Sequence, residues 1–313
     1  MKKLTAILLS VLMMFSLVTV AFAEGEEKLP FDNSAYFTSG EYRIHYRTFE
    51  PEGEVSDQIF LIHGFCLSTV SLEGVAAEYQ KAGYRVVLAD APNFGYSTRE
   101  TGDMDLVDRE VLLYELVEYL GGTWIVGGHS MGGGIAINLA TDHPETFTGA
   151  VLFAPQTSAE ATGFMAMFSR SGVMQTLYNL VLKIALMFPG VVRSLVEMSF
   201  SDKDFASNYD LSRITDPFTL PGSGAGVAIM SSHTRGSDLE AFSQLEIPCV
   251  ILTAADDRVA NADNLQAIID NAPEGTVVHS GLIGGHMMME YDPVLAAELT
   301  LRVVGINRTR LKA

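Results

Sequence analysis

Apolar runs separated by polar, helix-patterned stretches recur along the chain, and they set its organisation. Residues 58–62, 86–89, 124–127, 150–153 and 249–253 read as short buried strands, and residues 276–280 as the last strand. Between them, residues 69–83 have helical periodicity. A helix ends near Leu120, with Leu106, Val107, Leu112, Leu113, Leu116, Val117 and Leu120 on one broad face and Asp103 or Asp105 as its cap. Further helices run from about residue 131 to 141, from 261 to 271 and from 293 to 304. Strands alternating with helices predict an α/β protein, with a mostly parallel central sheet covered by helices on both faces. Residues 34–49 read as a hairpin turning at Gly40 and Glu41, a pair of antiparallel edge strands. From residue 155 to 242 the alternation stops. That interval is rich in apolar helical stretches, including 164–168 and 177–188, and in a Pro/Gly-rich loop at 217–226, and it reads as an inserted helical cap. The predicted organisation is a core of residues 24–154 and 243–313 interrupted by a cap of residues 155–242.

The first 23 residues stand apart. Lys2 and Lys3 precede an apolar stretch from Leu4 to Phe22, and Ala21-Phe22-Ala23 then gives an A-x-A site before an acidic segment. This is the pattern of a cleaved signal peptide, and it predicts a secreted or extracytoplasmic protein. An uncleaved membrane anchor is the alternative. The net charge of −18, which becomes −20 once Lys2 and Lys3 are gone, disfavours nucleic-acid binding and describes a self-repelling surface. Cys66 and Cys249 lie in or beside strand-like runs and read as two buried thiols rather than a disulfide framework. No spacing of metal-ligand type occurs, so neither metal nor cofactor is implied.

The chemistry centres on residues 124–136, WIVGGHSMGGGIA. An apolar strand stops at glycines, presents Ser130, and restarts as a helix of small residues. Gly128, Ser130 and Gly132 fit G-x-S-x-G in the strand–turn–helix setting that lets a serine hydroxyl project from the sheet, with only glycine small enough beside it. The turn also puts the Met131 N–H at a helix start, where unpaired donors favour developing negative charge. A serine so placed needs a base and a group to orient the base, in loops after later strands. Asp256 and Asp257 follow one strand, and His286, preceded by Gly284 and Gly285, follows the last. Of the other histidines, His279 falls within a strand, His129 adjoins the serine but points away from its hydroxyl, and His63 braces a strand-end turn. His45, His143 and His233 have no motif around them.

Taken together, HGF at 63–65, DAPNFGYS at 90–97, GHSMGG at 128–133, AADDR at 254–258 and GGHMMMEYDP at 284–293 resemble the α/β-hydrolases, in particular the capped lipase, esterase and serine-aminopeptidase group. The resemblance spans nearly all of the chain beyond residue 23. It implies Ser130 as nucleophile, His286 as general base and acid, and Asp257 as the residue orienting His286. Asp256 is the alternative, because alanines stand where the group has a glycine. It also implies an oxyanion hole formed by the backbone N–H groups of Phe65 and Met131. The expected activity is cleavage of a small, hydrophobic carboxylic ester, with membrane contact only through the signal peptide or a lipid substrate. Cap residues such as Met174, Leu177, Tyr178, Leu180 and Ile184 either line an acyl pocket or pack the cap on the core. An exported aminopeptidase of the proline-releasing kind is the alternative, with Glu160, Glu197, Asp202 and Asp204 available to hold a substrate amino terminus. A non-catalytic binding protein on the same fold is a further one.

Overall fold

The computed structural model describes residues 29–100, 104, 108–157, 171–230 and 235–305. The chain forms two compact units, Met1–Asp32 and Asn33–Ala313, and everything below concerns the second. Several residues singled out in the sequence lie outside the described ones: the predicted signal peptide, Asp103, Asp105, Leu106, Val107, Glu160, the apolar stretch 164–168 and His233.

Eight strands form one sheet in the order β1-β2-β4-β3-β5-β6-β7-β8. They are β1 (Ser34–Ser39), β2 (Tyr42–Phe49), β3 (Asp57–Ile62), β4 (Tyr84–Ala89), β5 (Trp124–His129), β6 (Phe147–Phe153), β7 (Cys249–Ala254) and β8 (Val277–Leu282). The β1–β2 and β2–β4 pairs are antiparallel and the rest are parallel. The hairpin therefore adds only one true edge strand, β1, since β2 is paired on both sides.

The period-2 geometry of the strands divides their apolar residues between two cores. Phe60, Ile62, Val87, Val126, Leu152 and Ile251 face one side, where they meet helices α2 (Arg109–Leu120) and α3 (Met131–Asp142). Ile59, Leu61, Val86, Ile125, Val151 and Leu252 face the other, against α1 (Glu73–Lys81) and the C-terminal helix Pro293–Val304. Full burial of each such side chain stabilises the fold by roughly 1.5–3 kcal/mol. This two-sided burial is why the strands read as unbroken apolar runs.

Two local expectations are corrected. Helix α2 starts at Arg109, and its cap is Asp108, which accepts the Glu110 N–H, rather than Asp103 or Asp105. Of residues 217–226 only 219–222 form a turn. Between β6 and β7 lie α4 (Gly172–Leu186), α5 (Pro189–Ser199), α6 (Lys203–Asn208), α7 (Ser212–Phe218), α8 (Ser223–Met230) and α9 (Leu239–Ser243), so Pro217 lies in the last turn of one helix and Gly224 and Gly226 lie within another. The glycines serve close packing. A Cβ at Gly226 would lie 2.9 Å from Asn93 Oδ1, and one at Gly224 would overlap the Tyr178 carbonyl of α4.

Two arginines fasten these helices to the sheet. Arg99, in the loop after β4, donates to the carbonyls of Phe94, Gly95 and Ser97 and also to the Pro217 carbonyl and Ser223 Oγ. In the other direction, Arg213 of α7 pairs with Glu73 of α1 at 2.6 Å and with Glu290 at 2.9 Å.

Candidate active site

Backbone strain gathers at one end of the sheet. Among the described residues, the non-glycine positions with positive φ are Cys66, Asn93, Ser130 and Ala154, each just past the carboxyl end of a strand. Left-handed backbone costs of order 1–3 kcal/mol per residue and persists only where its surroundings fix it.

At Ser130 those surroundings are visible. Its φ of 53° and ψ of −116° turn the chain sharply from β5 into α3, and its N–H is held by the Phe153 carbonyl of β6 at 2.9 Å. A Cβ at Gly128 would lie 2.7 Å from the Ile62 carbonyl oxygen, and one at Gly132 would lie 2.5 Å from that of His63. Both glycines are thus dictated by β3 passing close behind the elbow. Ser130 stands at the N-cap of α3 yet makes no capping bond with its side chain. Its hydroxyl is therefore left out of the helix's own hydrogen bonding.

The loop after β8 brings His286 to the same end of the sheet. His286 Nδ1 and Asp257 Oδ2 are 2.8 Å apart, with both side chains 7 % exposed. The other oxygen of Asp257 accepts the N–H groups of Val259 and Ala260, at 2.8 and 3.0 Å. Burial pushes the Asp257 carboxyl up, but the hydrogen bond and charge of His286 and these two backbone donors bring it below its ordinary value. Asp256 has a different job, accepting the Gly285 N–H at 3.1 Å and so shaping the loop before His286. Gly284 and Gly285 both have positive φ, and a Cβ at Gly285 would lie 2.6 Å from the Ser199 carbonyl oxygen. Among the described residues no hydrogen bond joins Ser130 Oγ to His286.

His129, immediately before the serine, links the elbow to the histidine loop. Its Nε2–H donates to the His286 carbonyl at 2.8 Å, and the two rings lie 4.6 Å apart. Burial and the neighbouring His286 hold its pKa well below the ordinary value, so it is neutral. The sequence placed it away from the hydroxyl but gave no sign of this contact.

Phe65 and Cys66 form the centre of a tight turn closed by Leu67 N–H to Gly64 O at 3.1 Å, with Cys66 at φ 59°. Among the described residues, neither the Phe65 N–H nor the Met131 N–H donates a hydrogen bond. The turn is braced from behind. His63 donates from Nδ1 to the Gly64 carbonyl at 2.7 Å and accepts the Ala91 N–H at Nε2, and the Phe94 ring meets both His63 and Phe65 edge-on. Burial pushes the Cys66 thiol up to about 12, which leaves it no thiolate character beside the elbow.

Asp90 ties these loops together. Its carboxylate accepts the N–H groups of Thr69 and Tyr96 and pairs with His45 Nδ1 at 2.6 Å. Ser34, His45 and Asp90 form a second Ser–His–Asp row, but it is buried and its Asp90 is committed to the backbone of two loops. Among the sequence's candidate acids, Asp202 caps α6 and accepts the Tyr291 hydroxyl. Asp202 and Asp204 line a cleft of ≈ 830 Å³ with Glu290 and Arg213, and Ser130, Asp257 and His286 are not part of its lining. Among the described residues no group of three or more His, Cys, Asp or Glu is placed to hold a metal ion.

A mostly parallel eight-stranded sheet covered by helices on both faces, with a serine on a strained turn after β5, defines an α/β-hydrolase. Residues 53–287, a span that includes Phe65, Ser130, Asp257 and His286, match the family described as serine aminopeptidase, S33, and the chain belongs to that family. It is 22 % identical over 265 residues to the uncharacterized hydrolase YugF of Bacillus subtilis (strain 168), a match covering 84 % of this chain and 94 % of that one. Its fold is similar to that of the enol-lactonase from Burkholderia xenovorans LB400, with a TM-score of 0.66 and 15 % identity over 85 % of this chain and 98 % of that one. A membrane phospholipase A described as a bacterial virulence factor superposes with a TM-score of 0.64 and 19 % identity, over 86 % of this chain and 84 % of that one. At these identities the likeness to the solved structures is one of fold. The family implies a small-molecule substrate.

Proposed function

We propose that the protein is an exported serine hydrolase that cleaves hydrophobic carboxylic esters through an acyl-enzyme on Ser130. The observation that carries the proposal is the 2.8 Å His286–Asp257 hydrogen bond, on a loop tied by His129 to the elbow that bears Ser130. Asp257 fixes the proton of His286 on Nδ1 and leaves the Nε2 lone pair to receive the serine proton as Oγ bonds to the substrate carbonyl carbon. The oxyanion so formed accepts the N–H groups of Phe65 and Met131, each worth roughly 3 kcal/mol in the transition state. Collapse of this intermediate breaks the bond to the alcohol, which leaves with the proton from His286. Water, deprotonated by His286, then attacks the acyl carbon and releases the acid and Ser130.

The ester reading is preferred to the aminopeptidase one because Asp202 is engaged in capping α6, and the cleft it lines with Asp204 has none of the three site residues in its lining. Helix α4 leaves Leu177, Leu180 and Ile184 exposed rather than packed on the core, which leaves them open to a hydrophobic acyl or alkyl group. Export follows from the signal-peptide pattern of residues 1–23.

The test is turnover of aryl esters of increasing acyl length and of proline arylamides, each compared with Ser130→Ala. Ester turnover lost in the variant is the expected result. Arylamide turnover without ester turnover would reassign the substrate, and equal rates for variant and parent would leave a binding protein on a hydrolase fold.

A further inference from the structure

Ala154, the residue just past β6, is held at φ 42°, and this left-handed turn has no part in the chemistry of Ser130. It sets the course of the residues that follow. Pro155, Gln156 and Thr157 pass directly over the first turn of α3. A Cβ at Gly133 would lie 2.8 Å from the Pro155 Cβ, and one at Gly134 would overlap the Gln156 carbonyl oxygen. The segment lies there between the elbow and the loop that carries Asp257. On the elbow side, the Gln156 N–H donates to the Ser130 carbonyl at 3.0 Å. On the other side, Gln156 Oε1 accepts the Asn261 N–H at 3.0 Å. Gln156 Nε2 donates to the Pro155 carbonyl at 2.8 Å, which fixes the amide with its oxygen toward Asn261. Thr157 exchanges two hydrogen bonds of 2.9 Å with the Asn264 side chain of helix α10 (Ala262–Asp270).

Asn261 comes shortly after Asp257, and the order of the N–H groups between them is telling. Those of Val259 and Ala260 go to Asp257 itself, and the next one in the chain goes to Gln156. The acid loop is thus closed on itself through Asp257 and anchored outward through Gln156. Among the described residues, the other hydrogen bonds from residues 255–260 to distant segments run to Leu282, Gly285 and His286. Those bonds join acid to base, and none reaches the elbow. The sheet brings the loops to one end, and two side chains supply the direct ties to the nucleophile. His129 holds the His286 carbonyl, and Gln156 holds the Asn261 N–H. On the reading of Ser130, His286 and Asp257 as the reacting set, we infer that Gln156 is a positioning residue, which sets Asp257, and with it the His286 ring, at its distance from Ser130. This role accounts for the strain at Ala154 and for Gly133 and Gly134, which lie outside G-x-S-x-G yet leave room for Gln156 to cross α3. A neutral hydrogen bond adds little to stability, but a misplacement of about 1 Å among reacting groups can cost about a hundredfold in rate.

Three variants test it. Gln156→Leu removes the acceptor but keeps the backbone bond to Ser130, and it lowers kcat for an aryl ester about tenfold at nearly constant KM. Gln156→Glu keeps an oxygen for the Asn261 N–H and returns kcat to within about threefold of the parent. Asn264→Ala removes the neighbouring bonds to Thr157, which do not touch the acid loop, so it lowers the urea midpoint and leaves kcat within about threefold. A second readout needs no turnover: the low-field proton resonance of His286 Nδ1–H against Asp257, assigned by its loss in Asp257→Asn. It broadens in Gln156→Leu and sharpens again in Gln156→Glu. Should Gln156→Leu fold poorly, Gln156→Met carries the same comparison. Parent-like kcat and resonance in Gln156→Leu overturn the inference, as does a loss that Gln156→Glu fails to recover. So does an equal loss of kcat in Asn264→Ala, which would make the whole segment a structural strap. If the parent turns over no ester while the resonance follows residue 156 as expected, the enzymatic proposal falls and the positioning of the His286–Asp257 pair remains.

Discussion

Replacing Asp257 and Asp256 separately by asparagine separates the two carboxylates by mechanism. In Asp257→Asn the amide has two orientations. With its oxygen toward Val259 and Ala260 it keeps both backbone hydrogen bonds, at 2.8 and 3.0 Å, and turns its NH₂ toward His286 Nδ1. Flipped, it confronts both backbone donors with an NH₂ group and leaves them unsatisfied, at about 1–3 kcal/mol each. The first orientation therefore wins. It makes His286 Nδ1 an acceptor and moves the ring proton to Nε2, so that the ring donates toward Ser130 instead of accepting from it. The wrong tautomer lowers kcat by about 10⁴, or about 5.4 kcal/mol of barrier, with little change in fold. Asp256→Asn retains an oxygen for the Gly285 N–H and changes kcat by no more than about threefold, since that 3.1 Å bond is to a neutral donor. The assay is steady-state hydrolysis of an aryl ester by both variants, with urea melts to confirm folding. Greater loss from Asp256→Asn than from Asp257→Asn would refute the tautomer argument and the assignment of the acid.

Three further outcomes follow from the same geometry. His129→Ala leaves the buried His286 carbonyl without its donor and lowers kcat about tenfold or more at nearly constant KM, with partial recovery in His129→Gln; a change confined to KM would mean that His129 contacts substrate instead. Gly132→Ala drives a Cβ to 2.5 Å from the His63 carbonyl oxygen and costs several kcal/mol, whereas Gly190→Ala in α5 meets nothing within 4 Å and is neutral or stabilising by up to about 1 kcal/mol; thermal melts read both signs. Burial pushes the Glu290 carboxyl up from 4.5 to about 7 against the pull of Arg213. The folded state therefore binds more protons than the unfolded chain between about pH 4.5 and pH 7, so stability falls as pH rises through that window, and Glu290→Gln flattens the fall in urea midpoints measured across it.

The parts of this protein legible in its sequence are those whose cause is local. Strands buried on both faces must be apolar throughout, so β3, β5, β6 and β7 announce themselves. The Ser130 turn needs Gly128 and Gly132 at fixed offsets, and His286 follows its two glycines. What the sequence hides is contact between distant segments. Gly224 and Gly226 look like loop residues until α4 and Asn93 are seen pressing on them. The choice of Asp257 over Asp256 depends on which carboxylate reaches a ring 29 residues later, and the bond from His129 to the His286 carbonyl spans 157 residues. Arg99 and Arg213 lie outside the motifs, yet between them they bolt the inserted helices to the core.

The strain at Ser130 leads to a prediction in which stability and activity move apart. At φ 53° and ψ −116° an L-residue is held in a region that glycine occupies freely, and the fold holds Ser130 there through the Phe153 carbonyl and the close passage of β3. Ser130→Ala removes the hydroxyl and keeps the strain, whereas Ser130→Gly removes both. Relief of about 1–3 kcal/mol, set against about 0.5–1 kcal/mol of added freedom in the unfolded chain, leaves the glycine variant more stable than the alanine variant by up to about 2.5 kcal/mol. Both lack esterase activity, because neither has an Oγ. Comparing the two by urea denaturation isolates the backbone term from the lost hydroxyl. An alanine variant as stable as the glycine variant, or more so, would show that the elbow is relaxed in this protein. The opposite order would show that a turn costly to folding is maintained where a nucleophile has to stand clear of the sheet.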